Sequence, residues 1–308
     1  MKNSVKYFLF IAVVFAIACI CFFKIIPQQP AMLKHHTTST NQVVRRMNYV
    51  ALGDSLTEGV GDDTKKGGFV PIVADLLQSK YHLSSIEFDN FGKAGDRSDQ
   101  ILKRLKKNEQ IQKALKSANI ITLTCGGNDL LKVIRGHIFS LKKKTFVKPQ
   151  KRYQKQLTQL IQEIRKYNTH APIYLLGIYN PFYLNFPEFT QMQEIVTNWN
   201  EASKQTTEEF KEVYFIPIND LLYKGNEIQV GITDSQQAKN DLQDSQETTS
   251  SKENEDKATL PSKVTIVNEL LSDEDRFHPN NVGYQLMAKA VMEKLADTKK
   301  EWYPKVGE

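Results

Sequence analysis

Two short stretches far apart in a 308-residue chain hold the residue types that acyl transfer needs: Gly53-Asp54-Ser55-Leu56 and Asp275-Arg276-Phe277-His278-Pro279. A serine hydroxyl is a weak nucleophile until an adjacent base takes its proton. In the second stretch a carboxylate stands three positions before an imidazole. That spacing lets one turn of chain bring the acid to one ring nitrogen and fix the other as a general base. Taken alone, a serine at the end of a strand more often caps the next helix than attacks a substrate. Between these stretches, Asn90-Phe91-Gly92-Lys93-Ala94-Gly95-Asp96 places glycine where a backbone amide could approach a ligand unobstructed. Gly126-Gly127-Asn128-Asp129 offers a side-chain amide beside flexible backbone. Each of these also reads as a plain turn.

Something must hold these stretches in register, and the apolar pattern supplies it. Tyr49-Val50-Ala51-Leu52 is a short apolar run that delivers Gly53-Asp54-Ser55 at its carboxyl end. Four comparable runs follow, Ser85 to Phe91, Asn119 to Cys125, Pro172 to Ile178 and Val213 to Ile218. The segments between them have helical spacing, most clearly where Tyr153, Leu157, Leu160, Ile161 and Ile164 share one face. Glu188 to Phe210 and Asn280 to Ala296 also read as helices, the latter with Pro279 in its first turn. Strands alternating with helices imply an α/β domain, a flavodoxin-like three-layer αβα sandwich on a five-stranded parallel sheet, in which function collects at the carboxyl ends of the strands.

All four stretches fall in those carboxyl-end loops, and in that order the chain resembles the SGNH/GDSL hydrolase family over about residues 47 to 298. The resemblance implies an ester hydrolase with Ser55 as nucleophile, His278 as base and Asp275 as the acid that orients it. It also implies an oxyanion hole formed by the amides of Ser55 and Gly95 and the side chain of Asn128. Asp54 and Asp129, and with them Asp96, read as supports that hold these loops. The block around Ser55 lacks the Gly-x-Ser-x-Gly elbow, which disfavours the larger α/β-hydrolase family. Carboxylic-ester hydrolysis of lipase or esterase type leads. O-acetyl ester cleavage on cell-envelope carbohydrate, thioester cleavage and lysophospholipid cleavage stay open, as does a non-catalytic binding module on the same fold. Expected substrates are small-molecule, lipid or glycan esters, with a pocket bordered by Phe139, Phe182, Tyr183, Phe186 and the polar insertion before His278.

The remaining features concern placement. Lys2 and Lys6 precede an unbroken apolar stretch from Tyr7 to Phe23, at the lower length limit for a bilayer span. Bulky residues follow its small ones, so a retained transmembrane anchor at residues 1–26 is expected rather than a cleaved signal, with the later chain outside a cell membrane. Lipoprotein processing at Cys19 stays open. Residues 27–46 are polar with two prolines and suit a stalk, residues 225–263 suit a polar insertion, and residues 299–308 suit a tail. Cys125 is the only cysteine in the body of the chain, so no disulfide framework is available there. No His, Cys, Asp and Glu cluster has metal-ligand spacing, and neither metal nor other cofactor is expected. The net charge of +6 suits a protein working near an anionic surface, while the run from Lys142 to Lys155, free of acidic residues, reads first as a solvated loop and helix face, with a phosphate-rich partner such as lipid headgroups or an anionic polymer as the alternative. No nucleic-acid module surrounds that run, and no nucleic-acid partner is expected.

Overall fold

Five short strands form one parallel sheet in the computed structural model, which describes residues 45–137, 142–181, 190–223 and 268–303. They are β1 (Arg46–Gly53), β2 (Ser85–Gly92), β3 (Ile120–Thr124), β4 (Ile173–Leu176) and β5 (Val213–Ile216), in the order β2-β1-β3-β4-β5. Parallel neighbours need crossovers, and helices supply them. Alternate residues of β1 enter opposite cores. Met47, Tyr49 and Ala51 join one apolar cluster with the helices α2 (Phe69–Tyr81) and α9 (Asn281–Asp297). Val50 and Leu52 join another with α3 (Ser98–Lys107), α4 (Glu109–Ser117), α6 (Lys143–Tyr167) and α7 (Thr190–Glu208). The α/β expectation therefore holds, with helices on both faces of the sheet. Residues 44–308 form a compact unit of their own, and both clusters lie wholly within it.

Central position explains why β3 is buried at every residue, its two threonines included. β2 differs from the other runs because it lies at an edge, so Glu87, Phe88, Asp89 and Asn90 are exposed. Chain order reverses between β1 and β3, the switch point where open α/β sheets form a crevice at the carboxyl ends of their strands. A one-turn helix, α1 (Ser55–Glu58), follows β1, and α5 (Gly127–Gly136) follows β3, so both begin at that crevice.

Several boundaries differ from the sequence expectation. α6 begins at Lys143, ten residues before its clear apolar periodicity, and continues through Pro149. The final long helix begins at Asn281, where Asn280 caps it by accepting from the Gly283 amide at 3.1 Å. Pro279 thus precedes the cap rather than occupying the first turn; it pairs instead with Leu271 in an isolated antiparallel bridge. Residues 299–302, expected to be tail, form α10 (Lys299–Trp302). Trp302 is buried edge-on against Tyr81 and donates to the Leu295 carbonyl at 2.8 Å. α8 (Asn219–Leu222) ends just before the insertion. The anchor, the stalk to residue 44 and the insertion at 225–263 lie outside the described residues. Among the described residues no helix is long and apolar enough to cross a membrane.

Candidate active site

β1 ends in a turn with no room for side chains. Gly53 pairs with Gly92 of β2. A Cβ on Gly53 would sit 2.2 Å from Thr124 Oγ1, and one on Gly92 would sit 2.0 Å from the Glu58 amide nitrogen. Glycine at both positions lets α1 tuck against the strand ends. Asp54 caps α1, its Oδ1 accepting from the Leu56 amide at 3.1 Å and from the Thr124 hydroxyl at 2.7 Å. Ser55 is thereby held as the first helical residue, buried except for a narrow opening. Its amide, in the first turn, has no acceptor within the helix.

His278 arrives from the far end of the sequence on a loop braced by main-chain bonds. The Ser272 amide donates to the His278 carbonyl at 2.8 Å, and the Asn280 amide to the Leu270 carbonyl at 2.9 Å. Between them the chain turns sharply, with Arg276 left-handed at φ 51°. Inside that turn Asp275 Oδ1 accepts from the amides of Phe277 at 2.9 Å and His278 at 3.0 Å. Its Oδ2 lies 2.5 Å from His278 Nδ1. The other ring nitrogen, Nε2, lies 2.9 Å from Ser55 Oγ. Partial burial raises the Asp275 carboxyl, but the His278 ring and the two amides outweigh it and hold the group below the ordinary carboxylate range. Tyr179 donates its hydroxyl to the Phe277 carbonyl at 2.5 Å and braces the loop from β4's side.

The two middle blocks are tied to this frame. Asn128, in the first turn of α5, donates its side-chain amide to the Asp96 carbonyl at 3.0 Å. Asp129 accepts from the Ser98 amide at 2.9 Å and its hydroxyl at 2.7 Å. The loop after β2 is thus fastened to the loop after β3. Burial raises both Asp54 and Asp129, against the opposing pull of their hydrogen-bond donors. Gly95 is left-handed at φ 80°, exposed, with open space where a Cβ would stand. Its neighbour Ala94 donates its amide to the Glu58 carboxylate.

The structure therefore brings Ser55, His278 and Asn128 around one recess of about 50 Å³, closed by Leu131, Ile178 and Phe277. Asp275 stands behind His278, while Gly95 lies in the adjoining loop and does not line the recess. Cys125 lines it as a buried thiol, which burial and the carboxylates of Asp129 and Asp54 raise well above the ordinary range. Phe139, Phe182, Tyr183 and Phe186 lie outside the described residues. Among the described residues no three His, Cys, Asp or Glu side chains form a metal-holding group.

Sequence reasoning did not identify Arg104. Its Nε meets Asp96 Oδ2 at 3.0 Å, its Nη1 the Phe91 carbonyl at 2.9 Å and its Nη2 the Gly53 carbonyl at 2.9 Å. One guanidinium thus gathers the ends of β1 and β2 and the loop carrying Gly95. Thr124, Ser98 and Tyr179 were also passed over. The one available signal was an arginine inside an otherwise lysine-rich amphipathic helix.

Residues 51–286 match the GDSL-like lipase/acylhydrolase family. The chain is similar to the uncharacterized protein YpmR of Bacillus subtilis, 32% identical over 272 residues and 88% of each chain. It is also similar to the spore germination lipase LipC of Bacillus licheniformis, 30% identical over 52% of this chain and 74% of that protein. Among solved structures, the lipase Lip_vut3 from a goat rumen metagenome shares the fold, with a TM-score of 0.58 at 23% identity, covering 80% of this chain and 96% of that one. So does Axe2 of Geobacillus stearothermophilus, an acetylxylan esterase, with a TM-score of 0.51 at 19% identity, covering 81% and 94%.

Proposed function

The chain belongs to the GDSL-like lipase/acylhydrolase family, an ester-hydrolysing group, and we propose that it cleaves short-chain carboxylic esters by acyl transfer through Ser55. The observation that carries this reading is the line Ser55 Oγ, His278 Nε2, His278 Nδ1, Asp275 Oδ2, with contacts of 2.9 and 2.5 Å. Ser55 Oγ attacks the carbonyl carbon while its proton passes to Nε2, and Asp275 stabilises the imidazolium through Nδ1–H. The carbonyl oxygen gains a negative charge and accepts N–H bonds from the Ser55 amide and the Asn128 side chain, which line the recess, while the Gly95 amide in the adjoining loop is the third donor that the family resemblance implies. Donors fixed in advance favour this charge more than the neutral ground state. The tetrahedral adduct collapses, and the leaving alcohol takes the proton from Nε2. Water then adds to the acyl-serine with His278 again as base, and release of the carboxylic acid restores Ser55.

The recess favours small acyl groups. At about 50 Å³ it offers room for little more than one or two water-sized groups beyond Ser55, and each methylene gains about 0.8 kcal/mol only where an apolar wall receives it. The same observation favours a second reading, removal of O-acetyl groups from carbohydrate. Both a lipase and an acetylxylan esterase carry this fold, so the fold does not choose between leaving groups. The test is hydrolysis by residues 44–308 of nitrophenyl esters from two to sixteen carbons, roughly, at concentrations below micelle formation, alongside acetylated xylan and cell-wall glycan. Specificity constants should peak at the short end, and acetate release from glycan would select the second reading. A steady rise to the longest chains would overturn the short-acyl reading. Lack of Ser55 labelling by a fluorophosphonate would overturn the acyl-transfer reading itself.

The proposal extends to placement. The apolar stretch from Tyr7 to Phe23 behind Lys2 and Lys6 supports a retained anchor with the domain outside the membrane. Protease added to intact cells should then degrade the domain while the full chain fractionates with membranes. Recovery of a released form beginning after residue 23 would contradict it.

A further inference from the structure

The cations of α6 follow the period of the helix. At about 100° per residue, Lys144, Lys148, Lys151 and Lys155 fall within an arc of about 60°, and all four are exposed. Phe146, Tyr153, Leu157, Leu160 and Ile164 face the opposite way and are buried. The stripe is about 16 Å long. It is flanked by exposed Arg152 and by Val147, one of the few large apolar side chains left in solvent, 48% exposed. From Leu130 to Gln162 the sequence has no acidic residue, and among the described residues none of the four lysines is paired with a carboxylate. Farther along the same helix Lys166 does pair, with Glu163 at 2.8 Å.

The crossover sets where this stripe lies. α6 links parallel β3 to β4 and so runs against the strands, which puts its amino-terminal half at their carboxyl ends. A cleft lined by both Arg152 and Asp129, the residue after Asn128, shows the two to be neighbours. Four unneutralised lysines repel one another and the rest of a net positive chain, a cost that an anionic partner removes. The stripe lies along a convex helix face, so it suits an extended surface of charge rather than a small ligand. Val147 suits the boundary of a bilayer better than a wholly polar polymer.

We propose that this face of α6 docks on an anionic phospholipid surface and turns the catalytic end of the sheet toward it. The test uses residues 44–308, which carry both cores, to remove the apolar stretch Tyr7 to Phe23 from the measurement. Co-sedimentation is read with phosphatidylcholine vesicles alone and with about one third phosphatidylglycerol, at low and high salt. Binding should require phosphatidylglycerol and fall with salt. The quadruple variant Lys144→Gln, Lys148→Gln, Lys151→Gln, Lys155→Gln should bind at least about thirty-fold more weakly, with hydrolysis of a soluble ester unchanged as the measure of intact folding. A control with the same loss of charge elsewhere, Lys113→Gln, Lys116→Gln, Lys289→Gln, Lys300→Gln, should bind as the parent does. Equal binding to both vesicle types, equal loss in the two variants, or binding to soluble polyglycerol phosphate without binding to vesicles would each overturn the proposal.

Discussion

The side-chain amide of Asn128 is held by the backbone carbonyl of Asp96, 3.0 Å away, across the gap between two strand-end loops. One N–H of the amide is committed to this bond, and its plane is fixed without any ligand. The second N–H, which takes no partner among the described residues, is the one that the proposed mechanism assigns to the developing oxyanion. Under that proposal, such preorganisation is what lets the amide favour the transition-state charge over the neutral ground state.

Replacing Asn128 by Ala should lower kcat for a nitrophenyl acetate substrate by about 100- to 1000-fold with KM little changed, because the donor acts on charge present only in the transition state. A loss confined to KM would assign Asn128 to substrate binding instead.

Ser55→Ala and His278→Ala should each reduce kcat by about 10⁶-fold, while Asp275→Asn should cost about 10⁴-fold by presenting the ring with the wrong tautomer. Ser55 sits in a one-turn helix capped by Asp54 rather than by its own hydroxyl, so Ser55→Ala should leave Tm nearly unchanged. Wild-type turnover by Ser55→Ala would end the acyl-transfer mechanism.

Asp54 and Asp275 should contribute to stability with opposite pH dependence. Burial raises Asp54 above 3.8, so the folded state holds its proton more tightly than the unfolded chain; its contribution is full below that value and is lost as pH rises through the folded value. Asp275 is depressed, so its contribution is present above 3.8 and is lost as pH falls through the folded value. Asp54→Asn keeps an oxygen for Leu56 and Thr124 but cannot ionise. Thermal unfolding from about pH 3 to about pH 7 should therefore show this variant gaining stability relative to the parent as pH rises. A constant difference would show that Asp54 does not titrate in this way.

Arg104→Lys should behave as a non-conservative change, since a point-like ammonium cannot hold Asp96 and the carbonyls of Phe91 and Gly53 together. Buried acceptors left unpaired cost about 1–3 kcal/mol, which for a domain of this size lowers Tm by several degrees, about 2–8 °C. If the strand ends also loosen, kcat falls by about tenfold or more while KM changes less. Calorimetry and steady-state kinetics on the same preparation separate the two effects, and an unchanged kcat would confine Arg104 to stability.

Much of this molecule was legible as sequence because its signals are local. Five apolar runs and the helices between them announce a parallel sheet, since side-chain period and burial are properties of neighbouring residues. The order of the four blocks announced where chemistry should be sought, and Asp275 and His278 share one turn, so their contact was readable from spacing. The meeting of Ser55 with His278, 223 positions apart, was not readable in this way; it depends on α9 and α2 packing against the same face of the sheet. Nor was Arg104, whose three partners belong to β1, β2 and a loop and whose side chain resembles the neighbouring surface lysines until the chain is folded. The positive charge of the Lys142–Lys155 run was visible in composition, yet only the helix showed that four of its lysines form a single stripe at the carboxyl ends of the strands. Local propensity decides what each segment becomes, whereas the positions of hydroxyl, imidazole and amide within an ångström are decided by packing between segments that have no sequence relationship to one another.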